Sequence, residues 1–323
     1  MGAIDVKNLK RVFLSHIGVI KRTAREVVAV DDVSFEIPEG GLFGLLGPNG
    51  AGKTTTVKML TTLLIPTSGM ASVQGFDVVS RADEVRKRIG FIFGGERGLY
   101  WRLSGIDNLR YFASLYGVDP DVTATRIPYL LDMVGLSGRG DEKVQGYSRG
   151  MKQRLHVART LLHDPDVLFL DEPTLGLDPV GAREFRQVIL NLQSEKKTIL
   201  LTTHYMFEAD ALCNRIAVIN HGKIIALDTP GGLKAHVRDL SVVEVETFGT
   251  PDAVLEKLRA LPFADSLSVE EMGQKQMLLI QTSRGAEAVP DVMSALDGTR
   301  VGRVIVREPT LEDAYVRLVS GTL

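Results

Sequence analysis

The chain has 323 residues, 44% of them hydrophobic and 24% charged, with a formal net charge of −2. That length accommodates one large domain or two, and the near-neutral balance gives no basic stripe of the kind nucleic-acid binding needs, so no nucleic-acid partner is expected. The single cysteine, Cys213, rules out an internal disulfide, fits a reducing intracellular setting, and reads as a small packed hydrophobe. No apolar stretch reaches the length of about 18 residues that a membrane span needs, and Met1 to Phe13 lacks the apolar centre of a signal peptide. The expectation is a chain that does not itself cross a membrane but is free to dock on a membrane protein.

In chain order, Ile4, Val6 and Val12-Phe13-Leu14 predict N-terminal strands, followed by a basic, solvated loop with Lys21, Arg22 and Arg25. Val27 to Val30 and Val33 to Ile37 alternate or run apolar as strands do. Pro38-Glu39-Gly40-Gly41 is a turn, and Ile65 to Gly69 another. From Ile106 to Leu162 the spacing is mainly helical, with Leu109, Phe112, Ala113 and Tyr116 on one face. Strand signals return at Val167–Leu170, Thr198–Thr202 and Arg215–Ile219, alternating with helical stretches such as Gly181 to Gln193, which predicts a mainly parallel sheet with crossover helices. Asn220-His221-Gly222-Lys223 reads as a hairpin turn. A boundary is predicted near Asp228–Gly232, with the first domain's last helix starting at Leu233, giving domains 1–238 and 239–323. The second domain follows the order β-α-β-β-α-β, a ferredoxin-like pattern, with a final helix from Thr310 to Leu318.

The most specific local signal is Gly47-Pro48-Asn49-Gly50-Ala51-Gly52-Lys53-Thr54, which fits G-x-x-x-x-G-K-S/T and lies between an apolar run, Leu42 to Leu46, and a helix-like run opening with Thr55. In that context the glycines turn backbone N–H groups toward phosphate oxygens, and the helix adds the positive end of its dipole. Lys53 is placed to reach the β- and γ-phosphates and the Thr54 hydroxyl to ligate Mg2+. A chance glycine turn before a helix is the plainer alternative.

Further along, the apolar strand Val167–Leu170 ends in Asp171-Glu172. A carboxylate there suits the metal side of a P-loop site, and the next one could take a proton from attacking water. An ordinary acidic strand end is the competing reading. Ser148 reads as the N-cap of a helix whose apolar face holds Leu155, Ala158, Leu161 and Leu162; with Gly150 it forms a second candidate phosphate site, although on physics alone a capped core helix is the better reading. His204 directly follows a predicted parallel strand, on the side where ligands bind.

Taken in order, Gly47–Thr54, Tyr147–Arg154 (YSRGMKQR), Leu168–Asp178 (LFLDEPTLGLD) and Thr202–His204 resemble the motif series of an ABC-transporter ATPase over residues 4 to about 235. The second stretch is similar to that family's signature motif, with Tyr147, Arg149 and Met151 in place of the commoner Leu, Gly and Gln. Ala29–Thr55, Pro66–Val78 and the ending Arg307–Leu318 are most similar to the ATPase subunits of two-component exporters of the drug, antibiotic and sodium type. The resemblance implies an α/β P-loop fold of ABC ATPase type: a mainly parallel sheet core, an N-terminal antiparallel β subdomain and a helical subdomain, with a small α+β domain at the C-terminus. It implies ATP and Mg2+ as ligands, Phe13 as the aromatic on adenine, Gly47 to Thr55 on the phosphates, Thr54 and Asp171 on the metal, Glu172 as the base and His204 at the γ-phosphate. It further implies a head-to-tail homodimer in which Ser148 and Gly150 complete the partner's site, and an integral-membrane permease holding the pair at the inner face of the cell membrane.

One departure stands out. After Phe93 the family places a Gln near Mg2+, whereas this chain has Gly94-Gly95-Glu96-Arg97; Glu96 is either its replacement or a solvated loop residue. Leu99-Tyr100-Trp101-Arg102-Leu103 reads as a docking surface, with core packing of Trp101 as the rival. Two other functions fit part of the pattern. A non-transport ABC ATPase is disfavoured by the single motif set and the lack of heptads. A nucleotide-sensing regulatory subunit is suggested by the missing Gln.

Overall fold

The computed structural model describes residues 2–17, 23–93, 98–237 and 239–320. They form two compact units, Met1–Thr229 and Pro230–Leu323. Pro230–Ala235, the helix that the sequence groups with the first domain, sorts by its contacts with the second unit, where it lies against the terminal helix Leu311–Ser320. Among the described residues, no helix is long and apolar enough to cross a membrane.

The first unit is built on a six-stranded sheet ordered Lys223–Asp228, Arg215–Asn220, Leu42–Leu46, Thr198–Thr203, Val167–Asp171, Ile89–Ile92. The last five strands pair in parallel and only the outermost, Lys223–Asp228, is antiparallel. Leu42–Leu46, Val167–Asp171 and Thr198–Thr203 are buried at every position. This is why their sequences run apolar rather than alternating. A second, antiparallel sheet has the order Thr23–Ile37, Ile4–Ile17, Ser68–Val73, Phe76–Asp77. Its inner side chains pack on the first sheet; Phe35 stacks on Phe43 with ring centroids 5.1 Å apart, and helix Lys53–Leu60 contributes Val57, Met59 and Leu60 to the same core.

Two details of the sequence reading change. The separate N-terminal strands are one long hairpin, Ile4–Ile17 on Thr23–Ile37, interrupted by bulges. Asn8 and Asp32 sit at positive φ (49° and 58°) and bond to each other side chain to side chain at 2.6 Å. Each bulge breaks the two-residue alternation, so a continuous strand reads as two short ones. Likewise the turn read at Ile65–Gly69 ends inside a strand: Gly69 has φ +83°, and a Cβ there would meet the Asn8 carbonyl oxygen at 2.1 Å. The strand passes so close to its neighbour that only glycine fits.

Helices Gly105–Leu115, Pro120–Met133 and Arg149–Thr160 form the helical part of this unit. Each start is capped: Ser104 accepts from the Asp107 N–H, Asp119 from Asp121 and Ser148 from Met151.

In the second unit, strands Ser266–Met272, Lys275–Thr282, Ser241–Thr247 and Val301–Arg307 lie side by side in that order, all antiparallel. Helices Asp252–Arg259 and Val289–Ala295 close one face over Val243, Val245, Leu278 and Ile280. Strand order and connections follow the split β-α-β plan. Arg307 leaves the last strand and pairs with Glu244 and, at 2.6 Å, with Asp313 of the terminal helix. Asp313 also accepts from the Thr310 backbone N–H (2.7 Å) and hydroxyl (2.8 Å), which fixes the start of that helix.

Candidate nucleotide site

Three adjacent parallel strands deliver the site. Leu42–Leu46 runs into Gly47–Gly52, Thr198–Thr203 into His204, and Val167–Asp171 into Glu172. Because the strands are parallel, all three carboxyl ends meet at one sheet edge, where ligands bind in this class of fold. The loop is tightly wrapped. A Cβ on Gly47 would lie 2.3 Å from the Ile219 carbonyl oxygen; one on Gly52, at φ +109°, would lie 2.5 Å from that of Ala29. Pro48, Asn49, Gly50 and Thr54 are exposed and Thr55 is half-buried, so one side of the loop faces solvent.

Lys53 is only 4% exposed. Its ammonium donates to the carbonyls of Gly47 (2.7 Å) and Pro48 (3.1 Å) and lies 3.3 Å from Glu172 Oε1. The other Glu172 oxygen, Oε2, is 3.2 Å from His204 Nδ1, an approach without hydrogen-bond alignment. Glu172 thus stands between Lys53 and His204, and its backbone is bent to φ +48°, a strained value for a side chain of this size. Beside it, the Thr54 hydroxyl donates to Asp171 Oδ2 at 2.9 Å. Five of the residues named from sequence, Lys53, Thr54, Asp171, Glu172 and His204, therefore form one connected cluster.

Ser148, Gly150 and Phe13, the candidates outside the Gly47–Thr55 loop, have other neighbours. Ser148 caps its own helix, and Gly150 faces Gly181. Among the described residues, no hydrogen bond or ion pair joins either to Gly47–Thr54. The Arg149 guanidinium instead covers Gly176: a Cβ there would lie 2.1 Å from Arg149 Nη1. Phe13 sits on the long hairpin opposite Val27, with the Arg11 guanidinium 4.7 Å from its ring centroid. Gly94, Gly95 and Glu96, where the Gln is missing, lie outside the described residues.

Thr202, read from sequence as the first residue of the Thr202–His204 stretch but given no role of its own, organises the centre. Its fully buried hydroxyl donates to Asp171 Oδ1 and accepts from the Glu172 N–H at 3.0 Å. Its carbonyl takes a second approach from the same N–H, at 3.1 Å. A hydroxyl at the end of an otherwise apolar buried strand was the available signal, since buried polar groups must find partners. Cys213 behaves as expected of a packed side chain: burial, reinforced by the charge of Glu208, pushes its thiol up to about 12, and its sulfur packs against Gly44.

A phosphate-wrapping loop with a buried lysine, set against an Asp-Glu pair and a histidine on neighbouring parallel strands, defines a P-loop ATPase. A family model described as "ABC transporter" matches residues 30–175. The chain is 45% identical over 199 residues to the ABC transporter ATP-binding protein NatA of Bacillus subtilis, an alignment covering 62% of this chain and 81% of that protein. It is 37% identical over 319 residues to the Nod factor export ATP-binding protein I of Cupriavidus metallidurans, covering 98% and 97%. The solved structure of cbiO1 from Clostridium perfringens, part of the ABC transporter complex cbiONQ, superposes with a TM-score of 0.63 at 25% identity, over 72% of this chain and 91% of that one. The chain belongs to the ATP-binding subunits of ABC transporters, of the export type, and binds and hydrolyses ATP.

Proposed function

We propose that this chain powers export through a separate membrane-spanning permease, as one half of a head-to-tail pair of identical ATPases. The observation that carries the mechanism is Glu172 held between Lys53 and His204. Lys53 and the Gly47–Thr55 loop bind the ATP phosphates, and Phe13 stacks on the base. A water attacks the γ-phosphorus while Glu172 takes its proton, the bond to the β,γ-bridging oxygen breaks, and ADP leaves. His204 orients Glu172 and contacts the γ-phosphate.

The donor set of Thr54 and Asp171, a hydroxyl and a carboxylate within 2.9 Å, suits a hard cation. These two residues would hold Mg2+, which offsets charge on the β- and γ-phosphates when bound. Ser148 and Gly150, remote in contact from their own P-loop, serve the partner's nucleotide, so each ATP closes the dimer and its hydrolysis releases it.

An exposed aromatic strip supports permease docking. Tyr100 is 46% and Trp101 52% exposed, which leaves the core-packing alternative for Trp101 without support. Such residues favour interfaces. Through this contact the subunit sits peripherally on the inner face of the membrane. Residues 239–323 are an accessory domain.

The test is Glu172→Gln. Turnover should fall by at least about a hundredfold while a fluorescent ATP analogue still binds; a variant that turns over normally removes Glu172 as the base. Copurification from detergent extract checks the partner, and a chain that repeatedly emerges without a polytopic protein refutes the permease.

A further inference from the structure

Behind the nucleotide cluster lies a second carboxylate that the mechanism above does not use. Glu208, in the first turn of helix Met206–Leu212, is 4% exposed. Its Oε2 accepts from the Thr174 hydroxyl at 2.8 Å and from the Thr203 hydroxyl at 3.3 Å, and its Oε1 is 3.7 Å from Arg186 Nη1. Thr174 lies two residues after Glu172, in the turn where Leu175 N–H bonds back to the Glu172 carbonyl at 3.2 Å. Thr203 immediately precedes His204, and its hydroxyl also accepts from the Tyr205 N–H at 2.9 Å. One buried carboxylate therefore bonds side chains on both the segment that carries Glu172 and the one that carries His204.

We infer that Glu208 is a positioning residue for ATP hydrolysis, which sets the separation between Glu172 and His204 by clamping Thr174 and Thr203 together. A buried carboxylate needs its partners; besides Arg186, these are two hydroxyls on the segments that carry Glu172 and His204. Helix Met206–Leu212 buries Ala209 and Leu212 in the core, and Glu208 is the buried polar group of its first turn, bonded to the segments of the site. The strained φ of Glu172 needs such support, because an off-well backbone persists only where neighbours over-determine it. Glu208 acts through the hydroxyls of Thr174 and Thr203. Its effect falls on kcat, because misplacing a base by about 1 Å can cost on the order of a hundredfold in rate.

The inference rests on the assignment of Glu172 and His204, so the experiment carries Glu172→Gln as its reference. Glu208→Ala, Glu208→Gln, Thr174→Val and Thr203→Val are assayed in the full chain for kcat, KM for ATP, binding of a fluorescent ATP analogue and thermal midpoint. Glu208→Ala should lower kcat by about 10- to 100-fold with KM within about threefold. Glu208→Gln keeps an acceptor for Thr174 and should restore kcat to within about threefold of wild type. Thr174→Val should reproduce part of the loss and add little to Glu208→Ala when combined. Should Glu208→Ala fail to fold, Thr174→Val alone decides, through the same split between kcat and KM. A folded Glu208→Ala with wild-type kcat overturns the inference, as does a loss that appears equally in KM and midpoint and is not rescued by Gln. If Glu172→Gln itself retains turnover, the mechanism fails instead, and the two failures are distinct.

Discussion

Thr202→Val puts the centre of the site under the most direct test. In the wild type one buried hydroxyl donates to Asp171 and accepts from the Glu172 N–H. Valine keeps the shape and removes both functions. The bond to ionised Asp171 is charge-assisted, and losing such a bond costs about 1.5–3 kcal/mol. The Glu172 N–H keeps the Thr202 carbonyl at 3.1 Å, so it is not orphaned. The added methyl, in a strand buried at every position, returns about 0.8 kcal/mol. The net loss is about 1–2 kcal/mol, a fall in thermal midpoint of roughly 2–8 °C for a unit of this size. Catalysis should suffer more: with Asp171 held on one oxygen only, by Thr54, and the Glu172 N–H on one acceptor, the carboxylates shift and kcat falls about 10- to 100-fold. Thr202→Ser provides the contrast, because it keeps the hydroxyl and loses a methyl, costing about 1 kcal/mol of stability while kcat holds. Steady-state ATPase rates with calorimetry on both variants separate the two effects. If Thr202→Val hydrolyses ATP at the wild-type rate, the hydroxyl does not orient the carboxylates and the argument for this residue fails.

Gly176→Ala should destabilise the first unit by about 1–3 kcal/mol, because φ +73° strains any Cβ and that Cβ would meet the Arg149 guanidinium at 2.1 Å. Adding Arg149→Ala should relieve the clash but not the strain, so chemical denaturation of the pair should recover part of the loss; full stability in the single variant refutes the contact. In the second unit, burial works to raise the Asp313 pKa, but Arg307 and Thr310 outweigh it and hold the carboxyl below the usual range. A carboxylate depressed in the folded state stabilises fully above its unfolded pKa, about 3.9, and that stability is lost as pH falls through the lower folded value. Acid unfolding of the second unit should therefore steepen below about pH 4, and Asp313→Asn should remove that component; an identical acid profile for the variant contradicts the clasp.

Much of the architecture was legible because its signals are local. The parallel strands read as apolar runs, Ser148 as a cap and Gly47–Thr54 as a loop between strand and helix, and each appears where its neighbours in sequence placed it. The long hairpin and the strand at Ser68 were not legible. Their irregularities, at Asn8, Asp32 and Gly69, are responses to a neighbouring strand distant in sequence rather than to adjacent residues.

The site divides in the same way. Three apolar runs give way to chemistry at their carboxyl ends: Leu46 to Gly47, Leu170 to Asp171, and Leu201 to Thr202-Thr203-His204. A parallel sheet brings such ends together, so sequence alone indicates which residues share an edge. Which donor faces which acceptor is a matter of register. Asp171 pairs across the ladder with Thr202, and Leu46 with Thr203. A slip of one residue would turn the Thr202 hydroxyl to the opposite face of the sheet and leave Asp171 without it. The packing of the whole core fixes that register, through buried side chains such as Phe43, Phe169 and Leu200. Hence Lys53 and Asp171 could be named from the motif each belongs to. The roles of Thr202 and Glu208 emerge only once the strands are aligned, because Asp171 and Thr174, the partners that define them, are 31 and 34 residues away.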